Sequence, residues 1–143
     1  MNATTTKPQA VTRHLPTIAR VLMGLLFFIS GVAGLLHLTP PPPANLPTAA
    51  IAFDAAMAGT GYMMPLIFGT QAIVGAQLLS NRFVPLALAL FAPFLVNSLA
   101  FHFFLVPSGL GIVIFALMLE FYLAWCYRSA FRPMLAMRVT PNA

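Results

Sequence analysis

The chain has 143 residues, of which 60% are hydrophobic and only 6% charged, with a net charge of +5 and a mean hydropathy of +0.92. That length suits one domain, but a soluble domain carries about 25% charged residues, so a water-facing surface is excluded and lipid is the expected solvent. The few basic residues are scattered rather than gathered on one face, which excludes a nucleic-acid surface, and the single cysteine, Cys126, excludes an internal disulfide and a CxxC pair.

Residues 1–16 read as a tail carrying Lys7 and Arg13. The first apolar segment, Thr17–Leu38 (TIARVLMGLLFFISGVAGLLHL), follows. Basic residues before an apolar run with the small pair Gly31 and Ala33 resemble a signal peptide and its cleavage site. The run continues through Leu35 and Leu38, long enough to span, so a membrane helix is expected instead. Pro40–Pro43 then forces an extended, polyproline-like connection. Asn45 is positioned to cap a short helix with Pro47 in its first turn. Over residues 48–58 (TAAIAFDAAMA) this helix places Ile51, Ala55 and Ala58 on one face and Asp54 off it, as expected of a helix lying at the outer interface.

Three more apolar segments follow: Met63–Leu79, Val84–Leu105 and Leu110–Tyr127. Each of the four is near the ~17–25 residues that cross ~30 Å of hydrocarbon. None shows the polar–apolar alternation of barrel strands, and backbone groups in lipid must be paired within the protein. The expected fold class is therefore all-α, an integral membrane four-helix bundle over residues 17–128, followed by a basic tail over 129–143. With four crossings, Lys7, Arg13, Arg20, Arg82, Arg128, Arg132 and Arg138 all fall on one side, while the 39–62 and 106–109 connections carry neither lysine nor arginine. The positive-inside rule then puts both termini in the cytoplasm.

Polar residues inside the spans are the candidate site. At 1.5 Å per residue, Gln71 and Asn97 lie roughly 12 Å, and Glu120 roughly 15 Å, below the outer ends of their segments. They are expected to share one level, with His37 and His102 above them near the outer rim. Ser30, Gly34 and His37 share a face of the first helix, and Ser98 and His102 share a face of the third. Glu120 is expected to point inward, either hydrogen-bonded to Gln71, Asn97 or a histidine, or carrying a proton, because a charge at a span centre costs about 2.5–3.5 kcal/mol. The competing structural explanation is that these groups only join helices, at about 0.6 kcal/mol per hydrogen bond. Paired histidines can hold haem iron, but no ligand motif surrounds His37 and His102, and no metal site is expected. Pro93 should bend the third helix about one turn before Asn97. Gly24, Gly31, Gly34, Gly69 and Gly75 should let helices approach closely.

The stretches RVLMGLLFFISGVAGLL, AAMAGTGYMMPLIFGTQAIVGAQLL, RFVPLALALFAPFLVNSLAFHFFL and LMLEFYLAW, in this order and spacing over residues 17–128, resemble the DoxX family of small bacterial four-helix inner-membrane proteins. Asn97, His102 and Glu120 fit the family pattern. Gln71 stands before Gly75 where a glutamate is frequent, and Gly34 stands where lysine or asparagine is frequent. The resemblance implies a bacterial inner-membrane protein associated with a redox system. The leading expectation is a non-catalytic membrane subunit or scaffold for an oxidoreductase, with a redox-enzyme partner and self-association as its contacts. The first alternative is a quinone-linked oxidoreductase subunit, with Gln71, Asn97, His102 and Glu120 lining a quinone pocket. The second is a binder of lipid or another small hydrophobic ligand. No cofactor motif of the GxGxxG, CxxC or P-loop type is present.

Overall fold

The computed structural model describes residues 9–43 and 45–137, with side chains from His14 onward. Lys7 and Arg138 lie outside the described residues. Six α-helices are present among them: α1 (Gln9–Leu35), α2 (Thr48–Gly59), α3 (Met63–Ser80), α4 (Val84–Phe104), α5 (Leu110–Cys126) and the short α6 (Arg128–Phe131). Single 3-10 turns occupy Pro107–Gly109 and Pro133–Leu135. The described residues contain no strand. Four helical stretches are long and apolar enough to cross a membrane: His14–Leu35, Met63–Ser80, Val84–Phe104 and Pro107–Cys126.

Two expected boundaries move. α1 begins at Gln9 rather than at residue 17 and runs through Pro16, giving up one backbone hydrogen bond there, because proline has no N–H. α1 also stops at Leu35 rather than Leu38. His37 adopts a left-handed backbone, φ 56°, and two reverse bonds close the helix: Leu38 N–H to the Ala33 carbonyl at 2.8 Å and His37 N–H to the Gly34 carbonyl at 3.2 Å. This is the Schellman arrangement, which pairs carbonyls that would otherwise be orphaned, and histidine is among the few non-glycine residues enriched in that backbone region. α3 ends the same way around Asn81, φ 57°, with Arg82 N–H bonded to the Gln77 carbonyl at 3.1 Å and Asn81 N–H to the Leu78 carbonyl at 3.3 Å.

The short helix α2 starts at Thr48, after Pro47, and no side chain caps it. The cap expected from Asn45 is thus not made: proline occupies the capping position, and its fixed φ of −58° already presets the entry to the helix. The face that α2 turns to the protein carries buried Ala50 and half-buried Asp54 and Met57, while Ile51 and Ala55 point outward and exposed Ala58 borders a cavity with Gly34 and Phe68. Phe53 reaches Phe101 of α4, ring centroids 5.4 Å apart.

The four long helices form a ring in which α1 meets α3 and α5, and α4 meets α3 and α5. The most intimate contact is between antiparallel α1 and α3. A Cβ added at Gly31 would come within 2.6 Å of the Phe68 carbonyl oxygen and also collide with the Ala72 backbone. One added at Gly75 would come within 2.6 Å of the Phe28 Cα, and one at Gly34 would overlap the Phe68 ring. The glycines therefore let two backbones touch, and dispersion between closely packed backbones is what holds helices together where lipid removes the hydrophobic drive. Gly69 differs, with nothing within 4 Å of a Cβ placed there.

The core fills the half of the bundle nearer the basic end, from Ala19 and Met23 of α1 through Val74 and Leu78, Ala87, Leu88, Phe91 and Leu95 to Ala116 and Leu123 of α5. Phe27, Phe91 and Phe94 join α1 to α4 in a cluster, with centroid separations of 4.4 Å (Phe27–Phe91) and 4.8 Å (Phe91–Phe94). Large apolar side chains such as Ile29, Ile73, Val96, Phe115 and Phe121 point outward, the inverse of a water-soluble bundle. Buried Arg20 donates from one Nη to the carbonyls of Leu78 and Leu79 at the end of α3.

Replacing Gly31 with alanine should lower the unfolding free energy by about 1–3 kcal/mol, the usual cost of overpacking, because backbone rather than a flexible side chain blocks the new methyl. Gly69→Ala should be neutral or mildly stabilising. Thermal unfolding of the two variants in one detergent checks the contrast.

Candidate functional site

The expected polar residues do not meet at one level. Using α1 as a ruler, Gln71 sits beside Ala72, which packs on Gly31, whereas Leu119, next to Glu120, shares a groove with Ile18, Ala19 and Leu22. Leu22 and Gly31 are nine residues apart, roughly 14 Å along a helix axis. Depths counted from helix ends assumed that all four helices start in one plane. The glycine contact fixes α3 against α1, while α5 follows a different register.

Gln71 lies on the buried stripe Gln71–Val74–Gly75–Leu78 of α3, and its Oε1 has no hydrogen-bond partner. Glu120 lies on the buried stripe Val113–Ala116–Glu120–Leu123 of α5, 6% exposed, and its Oε2 is likewise unpartnered. Among the described residues no hydrogen bond joins Glu120 to Gln71, Asn97 or a histidine, so the expected pairing is not formed. Asn97 is exposed and lines a shallow groove with Phe53, Ala100, Phe101 and Phe104. Adjacent residues on a helix point about 100° apart, and it is Ser98, not Asn97, that faces the bundle.

His37 and His102 line different cavities. His37 is exposed at the proline-rich end, beside a cavity of about 360 Å³ bordered by Gly34, Thr39, Ala58, Met64, Pro65 and Phe68. Its φ shows that it serves to terminate α1. Among the described residues no group of three histidine, cysteine, aspartate or glutamate side chains is placed to hold a metal ion.

The arrangement with chemical potential is a cavity of about 230 Å³ between α1, α4 and α5. Its walls are Leu26, Phe27, Phe94, Leu95, Ile112, Val113 and Ala116, and its polar groups are Ser30, Ser98 and His102. Ser98 and His102 reach it because they lie one turn apart on α4. Of the five residues singled out from the sequence, only His102 lines it, and Glu120 sits one turn beyond Ala116 on the same stripe of α5. Ser30 and Ser98 are recognisable in the sequence only as hydroxyls at the same helical spacing as the histidines.

His102 is held in one orientation. Its Nδ1 lies 3.2 Å from the Val106 carbonyl oxygen. A carbonyl only accepts, so Nδ1 carries the proton, and in neutral imidazole Nε2 is then a hydrogen-bond acceptor. The Nδ1–Cε1 edge of the ring packs on Gly109, where any Cβ would overlap it. The glycine of the 3-10 turn and the carbonyl of Val106, which also accepts the Gly109 N–H at 3.0 Å, thus set the position of the histidine and favour the tautomer with the proton on Nδ1. The result is an apolar slot with one fixed acceptor and two hydroxyls, features of a small-molecule site.

No family model, no curated protein and no solved structure matches this chain.

An unpartnered buried polar group costs about 1–3 kcal/mol. If Glu120 serves no structural purpose, Glu120→Met, close in volume and without the oxygens, should raise stability by about that amount. Chemical or thermal unfolding in detergent measures it. A loss of stability instead would mean that Glu120 makes a structural bond.

Proposed function

We propose that the protein is a non-catalytic membrane subunit of a redox system, and that its contribution is to hold a hydroxyl-bearing ring compound of the quinol class in the cavity between α1, α4 and α5. The observation that carries this reading is the His102 ring in the cavity wall, anchored through Nδ1 on the Val106 carbonyl. With Nδ1 donating to Val106, the Nε2 of the neutral ring is an acceptor and suits a ligand O–H. Ser30 and Ser98 donate or accept and suit a second ring oxygen. The surrounding phenylalanine, leucine and valine side chains suit the ring. An engineered apolar cavity of about 150 Å³ accepts benzene, so 230 Å³ is room for one substituted six-membered ring.

The resemblance to the DoxX family supports the inner-membrane setting and the redox association. In the same reading the chain crosses the membrane four times, with both termini in the cytoplasm. Arg20, Arg82, Arg128 and Arg132 gather at one end of the helices, and the connections at the other end carry no lysine or arginine, the distribution of the positive-inside rule. α2 then lies at the outer interface, with Ile51 and Ala55 turned to lipid.

Two measurements test this. In a Cys126→Ser background, a membrane-impermeant maleimide should label Asn45→Cys and Ser108→Cys from outside intact cells, and Ser129→Cys only after permeabilisation. The opposite pattern inverts the topology. Organic extraction and mass spectrometry of the protein purified from native membranes should find quinol or quinone, with retention reduced about tenfold in His102→Phe and Ser98→Ala, the effect of one lost hydrogen bond. Retention should be unchanged in Asn97→Ala. Equal retention in all variants, or none in the wild type, removes the quinol and leaves a scaffold without a ligand.

A further inference from the structure

The cavity of about 230 Å³ has room for a ring. A quinol-class molecule that lives in a membrane also carries a long apolar tail, which must continue out of the ring-sized space around His102. The seam between α1 and α5 provides a continuation. From Leu26 one turn toward the basic end of α1 lies Leu22, and from Ala116 one turn along α5 lies Leu119. Leu22 and Leu119, with Leu15, Ile18, Phe115 and Met118, line an open groove of about 390 Å³. The cavity and the groove therefore follow one another along the same pair of helices. Their chemistry differs sharply: the cavity holds two hydroxyls and an imidazole, and the only polar atom among the side chains of the groove is the hydroxyl of Tyr122. Polar head space followed by apolar tail space is the pattern an amphiphile requires.

Resting on the quinol reading of the cavity, we infer that the α1–α5 groove holds the isoprenoid or alkyl tail of that same ligand, and that the ligand reaches the cavity sideways from the bilayer through this seam. The asymmetry of the bundle supports the choice of seam. On its other side α1 is locked to α3 by backbone contact at Gly31 and Gly75, and no ring could pass there. Against α5 the facing groups are flexible: Leu22, Phe115 and Met118 are 47%, 48% and 65% exposed, and so free to rearrange around a tail.

The test uses wild-type protein in phosphatidylcholine nanodiscs and a decyl hydroquinone carrying a diazirine on its tail. After photolysis, label should concentrate on peptides spanning residues 15–22 and 115–122, and an excess of unlabelled decyl hydroquinone should remove most of it. Label spread over all outward helix faces and insensitive to competitor would mean that bulk lipid fills the groove, and overturns the inference. Label concentrated on α3 or α4 overturns it as well. Binding of a tail-less methylated hydroquinone, measured in parallel by equilibrium dialysis, separates the two readings. If the tail-less compound binds and Ser98→Ala weakens it while the tail label is scattered, the tail groove fails and the cavity stands. If the tail-less compound does not bind at all, both fail.

Discussion

The backbone contact between α1 and α3 is the constraint from which the rest of the bundle follows. In lipid there is no hydrophobic gain from joining two helices, so close packing must supply the association energy. Gly31 on α1 and Gly75 on α3 bring the two helix axes together until main chain meets main chain, and Gly34 makes room for the Phe68 ring. Four helices with one contact this tight cannot be evenly spaced. The opposite flank of α1 meets α5 through larger and more exposed side chains, and space is left there. The cavity at Ser30, Ser98 and His102 is thus a consequence of where the glycines are, as well as of the residues that line it.

That space is bounded by groups held in fixed positions. The Phe27–Phe91–Phe94 cluster ties the wall of the cavity to the core, with edge-to-face or offset pairs worth about 0.5–1.5 kcal/mol each beyond their burial. The 3-10 turn Pro107–Gly109 fixes the His102 ring from the other side. Glu120 is the counterexample: its carboxyl enters the core without a partner for Oε2.

Much of this was legible from the sequence, and the exceptions have definite causes. The four spans, the all-α class and the close-packing glycines at Gly31 and Gly75 follow from apolar runs and small residues, whose meaning depends little on tertiary context. Helix ends were less legible. Nothing local distinguishes His37 as a residue that will turn left-handed, and α1 stops three residues early because of it. The level of polar residues failed for a different reason. Helical periodicity places Ser98 and His102 on one face correctly, but the rotation of that face toward the bundle and the axial offset of α5 against α1 are properties of packing. One residue of rotation decided between Asn97 and Ser98.

Arg20 shows how one side chain serves two demands that the sequence presents separately. As a cation near the start of a span, it belongs to the charge asymmetry between the two ends of the helices. In the folded bundle it is buried, and its guanidinium meets the Leu78 and Leu79 carbonyls, which lie at the negative end of the α3 dipole. The last carbonyls of a membrane helix have no intrahelical donors, and the Schellman bonds at Asn81 satisfy only some of them. Arg20 adds charge-assisted donation to Leu78, which also accepts the Asn81 N–H, and to Leu79, worth about 1.5–3 kcal/mol for a hydrogen bond to a charged group. It does so at the same helix pair that the glycines hold together. The basic end of α1 is therefore pinned to the end of α3 by polarity, and the middle of α1 to the middle of α3 by contact. With α1 fixed at both points, any opening that admits a ligand falls to the α5 side, where neither kind of bond is present.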